Sequence, residues 1–133
     1  MRRGLFVLPD PLAVCRMPEA GPPPAWVFYQ DTRIFSVTRA PGEISVVCAE
    51  DDIPPSMTRV EPGWRAIGLR GPIPFIETGV LASVIQPLAS AGIPLFALST
   101  FDTDYVLVKE TDLERAITVL GADFDIAPEP PRS

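Results

Sequence analysis

The chain predicts an α+β fold, in which a ferredoxin-like βαββαβ unit spans residues 61–127. Three observations carry this reading. Apolar residues Val80, Leu81, Val84, Ile85 and Leu88 fall on one helical face, as do Leu113, Ala116, Ile117 and Leu120. The runs around these stripes, "WRAIGLRG", "PLFALST", "YVLV" and "FDIA", are short, apolar and rich in strand formers. Stop signals stand where the order needs them: Gly92 with Pro94 after the first stripe and Gly121 after the second.

Taken in order, "WRAIGLRG" (Trp64 to Gly71) is the first strand of the unit and "PIPF" a loop. The spacing predicts a helix over Thr78–Ala91, with Thr78 as its N-cap and a kink at Pro87. Strands "PLFALST" and "YVLV" follow, joined by a short turn holding Asp102. Thr111 and Glu114 have the spacing of a capping box, which predicts a second helix over Thr111–Leu120. "FDIA" is the closing strand, and 128–133, rich in proline, reads as a disordered tail.

Residues 1–60 hold only strand-like runs: "LFVL", "AVCRM", "AWVFY", "IFSVTR" and "EISVVC". No long amphipathic helix stands among them, so this half reads as a reduced, mostly β copy of the same unit. The charged and proline-bearing stretch 50–63 is its linker.

Composition narrows the function classes. The chain has 133 residues, 47% of them hydrophobic and 21% charged, the balance of a globular protein. A net charge of -6 argues against a nucleic-acid partner. The absence of histidine excludes Ser-His-Asp and Cys-His catalysis and histidine-held metals. Cys15 and Cys48 lie in apolar runs without metal-ligand spacing and read as buried free thiols. The apolar run after Arg2 and Arg3 is too short for a signal segment, and no stretch suits a membrane span, so a cytoplasmic location is expected. No nucleophile–base pair, phosphate loop or metal cluster is visible, so neither an enzyme nor a cofactor is expected.

The most informative stretch is "STFDTDYVLV", Ser99 to Val108. Asp102 and Thr103 between two strands are expected turn formers. The same segment also offers Asp104 to an ammonium group, and Thr100 and Thr103 supply hydroxyls. Upstream, a helix start near Gly79 leaves unpaired N–H groups that suit a carboxylate, and glycine admits close approach. On the residues alone, turn and ligand site both stand.

"SVTRAPGEISVV", "WRAIGLRGPIPFIETGVLASVIQPLASAGI" and "LFALSTFDTDYVLV" together resemble the ACT-domain family. More narrowly they resemble one half of the tandem ACT proteins related to the CASTOR arginine sensors. The resemblance implies a regulatory module that binds an amino acid at a domain or dimer interface. Its alternative is a ligand-free ACT-type dimerisation or protein-interaction module. It implies Glu77, Gly79, Val80, Thr100, Phe101, Thr103 and Asp104 as ligand-binding residues, with Pro94 and Leu95 on the partner side of the site. A homodimer is therefore expected, and a separate effector protein would carry the signal.

Overall fold

The computed structural model describes residues 2–128; 129–133, where most of the expected disordered tail falls, lie outside the described residues. Its strands are β1 (Gly4–Val7), β2 (Leu12–Met17), β3 (Ser36–Ala40), β4 (Glu43–Ala49), β5 (Val60–Leu69), β6 (Leu95–Ser99), β7 (Asp104–Lys109) and β8 (Asp125–Ala127). Its helices are α1 (Val80–Ser90) and α2 (Leu113–Leu120). The order β5-α1-β6-β7-α2-β8 is the expected ferredoxin-like series.

The residues group into two compact units, one of them Asp10–Trp64 and the other everything described before Asp10 and after Trp64. The expected division at residue 60 differs from this at both ends. Residues before Asp10 belong with the second unit, and the linker's last residues, from Val60, are already strand β5.

The helical unit has the strand sequence β6-β7-β5-β1-β8. β1 lies between β5 and β8, antiparallel to the first and parallel to the second. In a plain βαββαβ unit β5 and β8 would be neighbours; here Leu5 pairs with both Leu69 and Ile126. Nothing in "LFVL" distinguishes an inserted strand from one in its own half. Alternate residues of three strands (Leu5 and Val7, Ile67 and Leu69, Val106 and Val108) meet Val80, Val84 and Leu88 of α1 and Ala116 and Leu120 of α2. That is the period of two of a strand against the helical period, and it places both helices on one sheet face. Burying a side chain such as Leu88 is worth about 1.5–3 kcal/mol.

Both helix starts differ from expectation. The N-cap of α1 is Gly79, at φ 78°, and Thr78 lies outside the helix without capping it. The N-cap of α2 is Asp112, after a 3₁₀ turn at Glu110–Asp112, and no side chain caps it. The turn takes up Thr111, so the capping-box spacing has no helix start to act on. The stop at Gly92 is as the sequence implies: φ is 73°, and Ile93 N–H returns to Leu88 O at 3.0 Å. α1 continues through Pro87 as one element.

The other unit is an antiparallel sheet in the order β3-β4-β2-β5, to which β5 contributes its first residues. Ala13, Cys15 and Met17 of β2 face Ile44, Val46 and Cys48 of β4 in its core. The two thiols are free and buried, 3.6 Å apart. Burial raises the pKa of both, which keeps them protonated. "AWVFY" is not a strand: Ala25–Phe28 forms a 3₁₀ turn that buries Val27 in the core, packs half-buried Trp26 against it and leaves Phe28 and Tyr29 exposed. Pro24 at its N-cap starts the turn. Gln30 then holds it by donating to Val27 O and accepting from Ala49 N–H.

Candidate functional site

One end of the helical unit brings together the loop before α1, the first turn of α1 and the β6–β7 connection. They enclose a pocket of about 300 Å³. Glu77, Gly79, Val80, Thr100, Phe101, Thr103 and Asp104 all line it. Pro94 and Leu95 do not: they stand at the other end of β6, where Leu95 pairs with Val108.

The helix end is the first chemical feature. Gly79 is in the left-handed region, where L side chains are strained, and a Cβ there would meet nothing within 4 Å. Gly79 O accepts from Ser83 N–H, the first intrahelical bond. Val80, Leu81 and Ala82 come next, all on the pocket wall, and no side chain caps their amides. Such an end carries partial positive charge and suits an oxyanion.

The β6–β7 connection is the second feature. Ser99 and Asp104 pair across the ladder, and the Ser99 hydroxyl donates to Asp104 Oδ1. Thr100 N–H donates to Thr103 O at 2.8 Å, and Thr103 N–H donates back to Thr100 Oγ1 at 3.2 Å. The Thr103 hydroxyl donates to Leu69 O at 2.6 Å, tying the turn to β5. Asp102 contributes its carbonyl, which accepts from Ile73 N–H at 2.7 Å and fixes the loop before α1. Its side chain is exposed. Asp104 is half-buried, and its carboxylate opens on the pocket. Glu77 is held differently, accepting from Arg3 Nη2 at 2.6 Å.

The third feature was not anticipated from sequence. Phe75 and Phe101 meet edge to face, ring centroids 4.9 Å apart, and both are more than 70% exposed, as is Ile76 beside them. An apolar rim therefore borders the pocket. The signal was present in "PIPFIET", where Phe75 and Ile76 stand side by side in a loop without a strand's alternation.

A family model of the ACT domain matches residues 59–122, and a second model, described as an N-terminal domain, matches 10–56. Residues 59–122 belong to the ACT-domain family. Among curated relatives, the Bos taurus "Cytosolic arginine sensor for mTORC1 subunit 1" is 32% identical over 104 residues, which are 71% of this chain and 32% of the relative. The chain spans about a third of the length of the arginine sensors it matches. A solved protein from Agrobacterium tumefaciens is 36% identical, with a TM-score of 0.86, 100% of this chain and 98% of that one being covered. The regulatory subunit of aspartate kinase from Thermus thermophilus shares the fold at 15% identity, with a TM-score of 0.66 over 94% of this chain and 100% of its own. No helix among the described residues is long and apolar enough to cross a membrane.

Proposed function

We propose that this ACT protein is a cytoplasmic regulatory module that binds a free amino acid in the pocket between α1 and the β6–β7 turn. One observation carries the reading: an uncapped helix start and the Asp104 carboxylate open on the same pocket of about 300 Å³. A zwitterion has complementary charge at its two ends. Its carboxylate pairs with the amides after Gly79, and its ammonium pairs with Asp104. Phe101 covers the aliphatic part of the side chain, since an aromatic face excludes water at little entropic cost. Glu77 and Asp104 together favour a cationic side chain. The arginine-sensor relatives support the same ligand class, as does regulation in place of catalysis.

Pro94 and Leu95 lie away from this pocket within one chain, so a second copy supplies that side of the site in the homodimer. A separate effector protein then reads the liganded state. Thermal-shift measurements against each of the twenty amino acids, with light scattering at tens of micromolar, test the reading. A ligand-specific rise in Tm with a dimeric mass is expected. A monomer with no rise at millimolar ligand would overturn it.

The alternative is a ligand-free dimerisation or interaction module. It draws on the bonds that Ser99, Thr100 and Thr103 already make inside the turn, which satisfy those groups without a ligand. A dimer that ignores all twenty amino acids would favour it.

A further inference from the structure

A second cleft, of about 660 Å³, opens where the start of β1, the end of β5 and the start of β8 meet. Arg2, Arg3, Gly4, Arg70, Gly71 and Asp125 line most of it. Among the described residues, three guanidinium groups against one carboxylate give its wall a charge of +2, on a chain whose net charge is -6. The charges are unevenly satisfied. Arg2 pairs with Asp125 at 3.5 Å and donates to Phe124 O at 2.9 Å. Arg3 pairs with Glu77, which lines the neighbouring pocket. The Arg70 side chain is exposed and makes no ion pair or hydrogen bond among the described residues.

We propose that this cleft is an anion site, distinct from the amino-acid pocket, for a small molecule bearing two or more phosphate or carboxylate groups. Arg70 is its principal ligand, with Arg2 and Arg3 on the flanks. Guanidinium donors form a planar fork that matches both oxyanions. Backbone pairing holds them in place: Arg70 N–H donates to Gly4 O at 2.9 Å and Asp125 N–H to Arg3 O at 3.1 Å. Positions at strand ends hold a site more firmly than a free loop does. Gly4 has a specific part. A Cβ there would stand 3.1 Å from Arg70 Nε, so the bare backbone of Gly4 lets the Arg70 side chain lie along the cleft. The size of the cleft suits a metabolite. A nucleic acid, a polyanion much larger than the cleft, is disfavoured by the overall negative charge.

The test titrates the full chain with pyrophosphate and, separately, with citrate by calorimetry at low ionic strength. Saturable binding of at least one of them, one per chain and weakening with salt, is expected. Arg70→Gln should weaken it at least tenfold. Asp125→Asn, which removes the Asp125 carboxylate from the cleft wall, should tighten it several-fold. Arg59→Gln, an exposed arginine in the other unit, should leave it unchanged, and so should Asp104→Ala, because this site does not depend on the amino-acid pocket. The substituted side chains are exposed or half-buried, and circular dichroism confirms that each variant is folded. No binding of either anion at millimolar concentration overturns the proposal. So does equal weakening by Arg70→Gln and Arg59→Gln, which would mean general charge attraction.

Discussion

Two hairpin turns in this chain solve the same geometric problem at different cost. The β3–β4 turn closes with two residues, Pro41 and Gly42, between the paired Ala40 and Glu43. Proline fixes φ and glycine takes the left-handed conformation at φ 81°, leaving almost nothing to carry chemistry. The β6–β7 turn uses four residues, Thr100 to Thr103, between the paired Ser99 and Asp104. Its extra residues hold hydroxyls, a carboxylate and an exposed phenyl ring, and the turn is tied to β5 and to the loop before α1. The shorter turn reverses the chain and is tied down at Gly42, whose N–H donates to Glu19 and whose carbonyl accepts from Arg16; the longer one also presents groups to a pocket. Length beyond the geometric minimum is what lets a turn carry such groups.

The largest effect that separates the turns concerns affinity. Asp104→Ala should cost about 2–5 kcal/mol of binding to the best amino-acid ligand, more than tenfold, because it strands a charged ligand group. Asp102→Ala, the same charge change two residues away on an exposed side chain, should cost far less. Calorimetry on both variants and the parent protein decides it, and equal losses would dissolve the distinction between a site and a turn. Thr103→Val probes the tie to β5. Losing the 2.6 Å bond to Leu69 O should lower stability by about 1–2 kcal/mol in urea unfolding.

A closer comparison uses two glycines with nearly the same backbone. Gly42 and Gly79 have φ of 81° and 78°, and a Cβ on either meets nothing within 4 Å. Alanine at each should therefore destabilise the fold by a similar amount, about 1 kcal/mol, through conformation alone. Only Gly79→Ala should also weaken amino-acid binding, since Gly79 lines the pocket. The smallest effect concerns Tyr105. Burial, and after it the Asp102 carboxylate, raises its hydroxyl above the ordinary 10.0. The folded state thus holds the proton more tightly than the unfolded one, so this contribution is level below pH 10 and is lost as pH rises through the folded-state value. Asp102→Asn should bring the ultraviolet titration of Tyr105 part of the way back.

The helical unit was legible where one signal sufficed. The stripes through Val84 and Leu120 and the stop at Gly92 each rest on local spacing, and the helices stand within two residues of their expected ends. What failed locally failed for local reasons. Thr78 and Thr111 have the chemistry of caps, but a left-handed glycine and a 3₁₀ turn occupy the helix starts. "AWVFY" has strand composition, yet Pro24 and Gln30 make a turn of it. Strand β5 starts early because Gly63, at φ 83°, lets it continue past Pro62 with an irregular register against β2. The place of β1 could not be read at all, since pairing between residues more than sixty positions apart leaves no trace in either segment. In the pocket, the polar groups were visible as residue types, whereas the Phe75–Phe101 rim required the loop and the turn to meet.

The interposed strand β1 also bears on synthesis. Its partners in β5 and β8 are made long after it: at about 5–20 residues per second, on the order of ten seconds pass before Asp125–Ala127 exists. Asp10–Trp64 is contiguous and can close first, while Leu5–Leu8 remains an unpaired apolar segment on the nascent chain. Arg2 and Arg3 sit directly upstream of that segment, where paired positive charges discourage one growing chain from adhering to another.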